Sequence, residues 1–184
     1  NIWVVEIDNK CFGDFNPYIE IVEGDWLINT FEMDHHLGEV YLNGYSLYEV
    51  GKLSDVYNET PLDRANDKES SKYKWFCKTE NGYTSIYANF KGFNPNNQLV
   101  EINVRPVVFF PKKTGVNFIT VRGFKMAHAA TQWSPPTAEQ NGLIGPYWSK
   151  GWIIEDNLVT DSKCTGISIG KERATGHNEW TNLK

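Results

Sequence analysis

The chain has 184 residues, a formal net charge of −5 at pH 7 and a sequence pI of about 5.4. Hydrophobic residues make up 40% and aromatic residues 14%, enough to bury a core, which excludes a disordered protein. No apolar run approaches the roughly 18 residues that a membrane helix needs, and the acidic balance argues against nucleic acid as a partner. The many Trp, Tyr and Phe residues suit a protein that handles sugars.

Charge divides the chain into two parts. Residues 1–106 carry 9 Lys and Arg against 17 Asp and Glu, whereas residues 107–184 carry 9 against 6. This shift predicts a boundary between two structural units near Pro106. Because the sequence starts with Asn1 and shows no signal peptide, we expect it to be a piece of a longer protein.

Short alternating segments between turn residues predict an all-β chain. Asn43-Gly44 and Asn81-Gly82 each separate two such segments and predict hairpins with type I′ turns. The predicted strands of the first part are 18–22, 25–28, 39–42, 46–50, 73–77, 83–88 and 99–104. Strands this short and this numerous are typical of an immunoglobulin-like β-sandwich, which we place at residues 17–106, with 54–71 as a surface loop.

The pattern after residue 106 is one of short strands that end at Gly or Asn corners. Segment 119–124 resembles 152–157, with Ile153 aligned to Ile119 at an offset of 34 residues, and 142–145 resembles 166–170 at an offset of 24. A repeat of about 20–25 residues made of short strands indicates coils of a parallel β-helix. We therefore expect residues 107–184 to form a truncated β-helix, with residues 1–16 as a strand or linker next to it.

One set of polar residues follows from that repeat. The 24-residue offset stacks Glu139 over Lys163, with Asp161 two residues earlier on the same face. The three groups then lie within roughly 5–9 Å, the range of paired carboxylates in glycosidases. Trp133 enters the same region, where an exposed Trp can stack on a sugar ring. A Glu–Lys pair is more often a surface salt bridge worth about 0–1 kcal/mol, however.

Weaker candidates lie on either side of this set. His128 opens the loop that carries Trp133; it lines a cleft or, more commonly for a lone His, serves as a structural hydrogen-bonding group. Glu172 and Glu179 are further potential acids, with solvated surface as the simpler interpretation. Neither side chain is assigned a role on this pattern.

Metal and cofactor chemistry have little support in the sequence. The run Asp34-His35-His36 has the composition of a metal cluster, but no third or fourth ligand stands at a useful spacing, so no metal is predicted. No nucleotide-binding motif is present, so no cofactor is predicted. Three widely spaced cysteines favour reduced thiols over a disulfide. They are Cys11, Cys77 and Cys164.

Longer runs resemble a known family. They are Trp-Ser-Pro-Pro-Thr-Ala-Glu-Gln at 133–140, Trp-Ser-Lys-Gly-Trp-Ile-Ile-Glu at 148–155 and Asp-Ser-Lys-Cys at 161–164. Together they closely resemble bacterial glycoside hydrolase family 120, the β-xylosidases. Val-Glu-Gly-Asp-Trp at 22–26 and Gly-Glu-Val-Tyr-Leu-Asn-Gly at 38–44 fit the same family, so the resemblance spans nearly the whole chain.

The resemblance implies a fold and an activity. The fold is a right-handed parallel β-helix interrupted by an immunoglobulin-like domain, and members are much longer than this chain. The activity is retaining removal of xylose from the non-reducing end of xylo-oligosaccharides by an Asp nucleophile and a Glu acid/base. Asp161 matches the nucleophile segment. Glu139 matches a Glu segment, either as the acid/base or as an assisting carboxylate, with the acid/base then in the following coil or beyond residue 184.

The remaining expectations concern the subsite and the partners. Lys163 keeps Asp161 ionised, and Trp133 and Trp148 shape a subsite for one pentose ring. The partner is an oligosaccharide, and the exposed end of a truncated β-helix invites association into a homo-oligomer. The compartment, bacterial cytoplasm or periplasm, stays open.

Two other functions fit the same residues. A polysaccharide lyase would use Lys163 or Arg122 as the basic residue and draws support from the net positive charge of residues 107–184. A non-catalytic sugar-binding or scaffolding module would dock partners through the first domain. A fold alone does not decide among these, since one fold hosts many functions.

Overall fold

The computed structural model describes residues 2–22, 33–133 and 141–169. Within these ranges nearly all elements are strands, which confirms the all-β class. Packing divides the chain into two compact units, Asn1–Ile21 with Thr30–Val104, and Val22–Asn29 with Arg105–Lys184. In the part of the chain that is described, no helix has the length and apolar character needed to cross a membrane.

The strands are numbered in chain order. They are β1 (Ile2–Asp8), β2 (Val40–Leu42), β3 (Tyr45–Ser46), β4 (Tyr48–Glu49), β5 (Lys74–Glu80), β6 (Tyr83–Asn89), β7 (Val100–Ile102), β8 (Thr120–Arg122), β9 (Lys125–Met126), β10 (Ile153–Glu155) and β11 (Leu158–Val159). The described helical elements are α1 (Leu53–Tyr57) and short 3₁₀ turns at Asn9–Phe12, Ser70–Lys72 and Pro95–Asn97.

The first unit contains two sheets, ordered β1-β6-β5-β4 and β3-β2-β7. Both Asn-Gly turns adopt positive φ at both residues, 54° and 85° at Asn43-Gly44 and 53° and 83° at Asn81-Gly82, as type I′ hairpins require. β1 pairs antiparallel with β6 over its whole length. Residues 2–8 are therefore a sheet strand of the first unit.

The core of this unit centres on Trp75, whose side chain is fully buried. Its ring meets that of Tyr18 edge-on, with centroids 5.8 Å apart. The indole N–H of Trp75 donates to Glu39 Oε1 at 3.0 Å, and the Tyr18 hydroxyl donates to the Glu39 carbonyl at 2.7 Å. Both polar tips are thus paired inside an apolar cluster, which is the condition for burying Trp and Tyr at low cost.

The strand predicted at residues 18–22 is a turn followed by a single bridge between Ile21 and His36. Asn16 Oδ1 accepts the amide of Tyr18 at 2.9 Å, and this local bond competes with a sheet ladder. The predicted strand at 25–28 lies outside the described residues. The polar stretch predicted as a loop contains α1 at its start and a 3₁₀ turn at its end.

Lys74 of β5 connects the polar stretch 54–71 to the sheet by hydrogen bonds. Its side chain is only 2% exposed, and its ammonium donates to the carbonyls of Asn58 and Thr60, at 2.7 Å each. Burial lowers the pKa of the Lys74 ammonium below its usual value. The charge is retained by two short bonds to backbone oxygen.

We expect Lys74→Met to destabilise the first unit by about 2 kcal/mol, because two carbonyls lose their donor while the apolar stem is kept. The shift of the urea midpoint measures this. Lys78→Met is the matched control on the same strand, since Lys78 is half-exposed and its ion pair with Glu80 is solvated. An equal shift in the two variants contradicts the structural role of Lys74.

The second unit is built from parallel ladders. β8 pairs with β10 and β9 with β11, and single parallel bridges join Phe109 to Ile144 and Ile144 to Ile167. Its core holds Val121, Met126, Ala129, Leu143 and Ile144. Each ladder therefore stacks one turn of chain on the next.

The register of these ladders corrects the predicted repeat. Ile154 lies opposite Val121 and Leu158 opposite Lys125, a step of 33 residues and not 34. Ile167 lies opposite Ile144, a step of 23 and not 24. A slip of one residue would set Ile154 against Thr120, which is exposed, instead of Val121, which is 2% exposed. The inward-facing residues thus select the register.

Candidate active site

Two segments run side by side directly after β9 and β11. The amide of Thr160 donates to the Met126 carbonyl at 3.1 Å, that of His128 to the Asp161 carbonyl at 3.0 Å, and that of Lys163 to the Ala129 carbonyl at 2.9 Å. The backbones of Asp161, Lys163 and His128 are thereby brought together. The bonded residues are 33 or 34 positions apart in the chain, close to the 33-residue step of the adjoining ladders.

This pairing corrects one expectation. Lys163 stacks on Ala129, not at the 24-residue offset that placed it over Glu139. The predicted offset is close to the 23-residue step between Ile144 and Ile167. That step is shorter than the 33-residue step between β8 and β10. Glu139 itself lies outside the described residues, as do Glu172 and Glu179.

Asp161 occupies a corner of the chain with φ of 49°, and His128, its bonded neighbour, has φ of 60°. Asp tolerates this left-handed conformation better than most residues. The Asp161 side chain is exposed, and its Oδ2 accepts the Thr160 hydroxyl at 2.7 Å. The carboxylate of an exposed residue is therefore held by a short side-chain bond, and the backbone of that residue pairs with half-buried His128.

Thr131 positions the same segment and was missed by the sequence analysis. Its side chain is fully buried, and its Oγ1 accepts the amides of Cys164 at 2.8 Å and Thr165 at 2.9 Å. The register of 33 residues that joins β8 to β10 also aligns Thr131 with Cys164, so this signal could have revealed the contact. Trp133, half-buried, follows two residues later, close to the paired segments along the chain.

Trp148 belongs to a different part of the second unit. Its amide donates to the Ile169 carbonyl at 3.0 Å, and its φ is 59°. It lies on the Ile144–Ile167 side, while Asp161 and Lys163 lie after β11. The backbone contacts thus place Trp148 on a different ladder from Asp161 and Lys163.

The thiol of Cys164 lies within this segment. Burial raises its pKa to about 11, and the nearby Lys163 lowers it by a smaller amount. At neutral pH the group is a protonated thiol, a poor nucleophile and a poor metal ligand. Cys11, Cys77 and Cys164 are thiols that form no disulfide.

We expect Cys164 to resist alkylation by iodoacetamide at pH 8.5 and to become reactive only as the pH approaches about 11, since the thiolate is the reacting form. Peptide mapping by mass spectrometry after timed labelling measures this. Cys11, which is exposed, is the internal control and reacts at pH 8.5. Equal labelling of the two thiols in the folded protein contradicts the burial of Cys164.

The chain is similar to known proteins over its whole length. The profile described as "Glycoside hydrolase 120, insertion domain" matches residues 1–102. A solved structure described as "The complex structure of XylC with xylose" is 49% identical to the chain, with a TM-score of 0.88. A search of curated proteins found no match. The all-β chain is thus related to the glycoside hydrolases.

The chain belongs to glycoside hydrolase family 120, which confirms the resemblance seen in the sequence. The XylC match covers 100% of the chain and 31% of XylC, so the chain spans about a third of that protein. The family profile ends close to Val104, where the first compact unit ends.

Proposed function

We propose that the chain is part of a retaining β-xylosidase that removes xylose from the non-reducing end of xylo-oligosaccharides. The observation that carries the proposal is the 49% identity over the whole chain to a structure solved with xylose. That match includes the second unit, which holds Asp161 and the segments around it. A carbohydrate is the substrate class that this relationship favours.

Asp161 is the proposed nucleophile. The residue is exposed at a corner, and its Oδ2 accepts the Thr160 hydroxyl, so a substrate can approach the carboxylate from solvent for attack at the anomeric carbon. Attack forms a glycosyl–enzyme bond and breaks the bond to the leaving oxygen. Lys163, two residues on, adds a positive charge to the same segment.

A carboxylic acid protonates the leaving oxygen and then removes a proton from the water that releases xylose. Glu139 is the proposed residue for this role or for an assisting one. Trp133, Trp148 and His128 are proposed to line the sugar subsite. A Trp face stacks on a pentose ring, and an imidazole can hydrogen-bond a sugar hydroxyl.

We also propose the architecture that the family resemblance implies. The paired sheets of the first unit form an immunoglobulin-like domain at residues 17–106, now with β1 added. The stacked parallel ladders of the second unit are coils of a right-handed parallel β-helix at residues 107–184. The site then lies on corners between coils, where side chains project without disturbing the ladders.

The experiment is hydrolysis of an aryl β-xyloside by the full-length protein, with the anomeric configuration of released xylose followed by NMR. We expect release of the aryl alcohol and initial formation of β-xylose. An aryl β-glucoside serves as the matched substrate control, because it differs only by one hydroxymethyl group.

Three results would overturn the proposal. Initial α-xylose would mean inversion. Ultraviolet absorbance from an unsaturated product on a uronate polymer, without xyloside cleavage, would mean a lyase. Binding of xylo-oligosaccharide without turnover by the folded protein would mean a non-catalytic module.

A further inference from the structure

A second cluster of reactive side chains lies in the first unit, whereas Asp161 belongs to the second. One ligand atom each from His36, Glu49 and Cys77 lies within 4.8 Å of the other two. The Glu49 side chain is 5% exposed and Cys77 is 6% exposed, whereas the His36 side chain is 26% exposed. Glycosidase chemistry at Asp161 makes no use of these three groups.

The fold assembles this cluster from three places in the chain. Glu49 on β4 lies opposite Trp75 of β5, and Cys77 follows two residues later on the same face as Trp75. The single bridge between Ile21 and His36 holds the third residue against the sheet. The ligand missing from the Asp34-His35-His36 run is thus supplied by β4 and β5.

Hydrogen bonds join the Glu49 carboxylate to His36. The Glu49 carboxylate accepts the backbone amide of His36 at 3.1 and 3.2 Å and lies 2.5 Å from His36 Nδ1. His35 Nδ1 lies 3.6 Å from the other Glu49 oxygen. Cys77 Sγ lies 3.7 Å from the Tyr18 carbonyl. The Glu49 carboxylate therefore bonds to both the backbone and the ring of His36, while the Cys77 thiol bonds to the Tyr18 carbonyl.

A cavity of about 480 Å³ opens beside the cluster, and its lining includes Asp34, His36, Glu49, Lys52 and Phe76. It gives solvent and ions a route to His36 and Glu49. Cys77 lies behind them in the core cluster around Trp75. Of the three proposed ligands, His36 and Glu49 thus line the cavity, and Cys77 belongs to the apolar core.

We propose that His36, Glu49 and Cys77 bind one zinc ion, with solvent from the cavity as the fourth ligand. Imidazole nitrogen, carboxylate oxygen and thiolate sulfur are the three donor types that Zn²⁺ takes in proteins, at about 2.0–2.3 Å in tetrahedral geometry. Hard ions such as Ca²⁺ and Mg²⁺ require oxygen ligands, so the thiol and imidazole select against them.

Binding requires a small rearrangement. Tetrahedral bonds of these lengths separate ligand atoms by about 3.3–3.8 Å, so His36 and Glu49 move apart by about an ångström and Cys77 comes closer. The partly exposed His36 ring has room to move. The Cys77 thiol loses its proton to solvent, and the proton of the His36–Glu49 hydrogen bond passes to the other ring nitrogen of His36 or to solvent. Three metal–ligand bonds then form.

The experiment uses the full-length protein, stripped with a chelator and titrated with Zn²⁺ against a chromophoric competitor. Co²⁺ is the second probe, because a tetrahedral Co²⁺–thiolate site gives a charge-transfer band in the near ultraviolet. We expect one tight Zn²⁺ equivalent that depends on Cys77, a thiolate band with Co²⁺, and a thermal midpoint raised by several degrees when Zn²⁺ is added.

Variants assign the ligands. Cys77→Ser is expected to abolish the Co²⁺–thiolate band, and Glu49→Gln to weaken Zn²⁺ at least about tenfold while the band is kept. Cys11→Ser is the matched control, since Cys11 is an exposed cysteine of the same unit. It is expected to bind both metals like the wild type. Circular dichroism checks that each variant is folded.

The absence of a thiolate band in the wild-type protein would overturn the proposal without any variant. So would a folded Cys77→Ser or Glu49→Gln protein with wild-type Zn²⁺ affinity. In either case the cluster is a hydrogen-bonded His36–Glu49 pair with a thiol packed next to it.

Discussion

Asp161→Asn is expected to lower kcat of the full-length protein on an aryl β-xyloside by about 10²–10⁴-fold or more, the range for loss of one positioned catalytic group. The amide cannot form the glycosyl–enzyme bond, while its shape is nearly that of the carboxylate. Asn also tolerates the φ of 49° at this corner, so the backbone is not strained by the change. The measurement is steady-state release of the aryl alcohol.

Asp156→Asn is the matched control. Asp156 is also exposed, also has positive φ at 53°, and pairs with Arg122 at 2.7 Å on the surface. Its loss is expected to change kcat by less than about twofold, since an exposed ion pair contributes little. Activity retained by Asp161→Asn, or lost to the same extent in Asp156→Asn, removes Asp161 from the nucleophile role.

Added azide sharpens the test. A small anion can occupy the space of a missing nucleophile and attack the anomeric carbon in its place. Asp161→Gly leaves that space empty and keeps the φ of 49° without strain. Partial recovery of its turnover by azide, with a glycosyl azide product detected by mass spectrometry, is the expected result. A residue that acts only by positioning another group shows no such product.

Trp75→Ala is expected to destabilise the first unit by about 3–5 kcal/mol. The side chain is fully buried, so its removal leaves a cavity, breaks the edge-on contact with Tyr18 and leaves Glu39 Oε1 without its indole donor. Amide hydrogen exchange in β5 and β6 is expected to accelerate about 10²- to 10⁴-fold, the equivalent of that free energy. Mass spectrometry of peptides from these strands measures it.

Tyr45→Ala is the control for this prediction. Tyr45 is an aromatic residue of the same unit but is 80% exposed, so its truncation is expected to cost less than about 0.5 kcal/mol. Exchange in β5 and β6 that is unchanged by Trp75→Ala shows that Trp75 does not hold this core together.

Local chemistry explains which elements could be predicted. The two Asn-Gly turns have a stereochemical requirement for positive φ that few other dipeptides meet, so both hairpins were located from the sequence. The segment around Tyr18 failed as a strand because Asn16 bonds to the backbone two residues on, a contact that periodicity does not detect.

The candidate site likewise contains residues that the sequence predicts and contacts that it does not predict. Asp161 and Lys163 stand in an unusual run of residues that marks the family, and no structure is needed to single them out. The residues beside Asp161 and Lys163 are set by the register of the ladders. The apparent 24-residue repeat predicted Glu139 as the partner of Lys163, whereas the backbone bond of Lys163 is to Ala129. Similar short segments on different ladders share composition, and only the inward packing of residues such as Val121 and Ile154 tells them apart.

By itself, the sequence determined the all-β class, the hairpins and the family, because alternation, turn stereochemistry and long motifs are local properties of the chain. Tertiary structure alone decided the 33-residue register, the buried Thr131 contact to the Asp161 segment and the meeting of His36 with Glu49 and Cys77. Those features join residues from separate strands. Burial of apolar side chains selects such pairings, and that free energy depends on the whole packed unit.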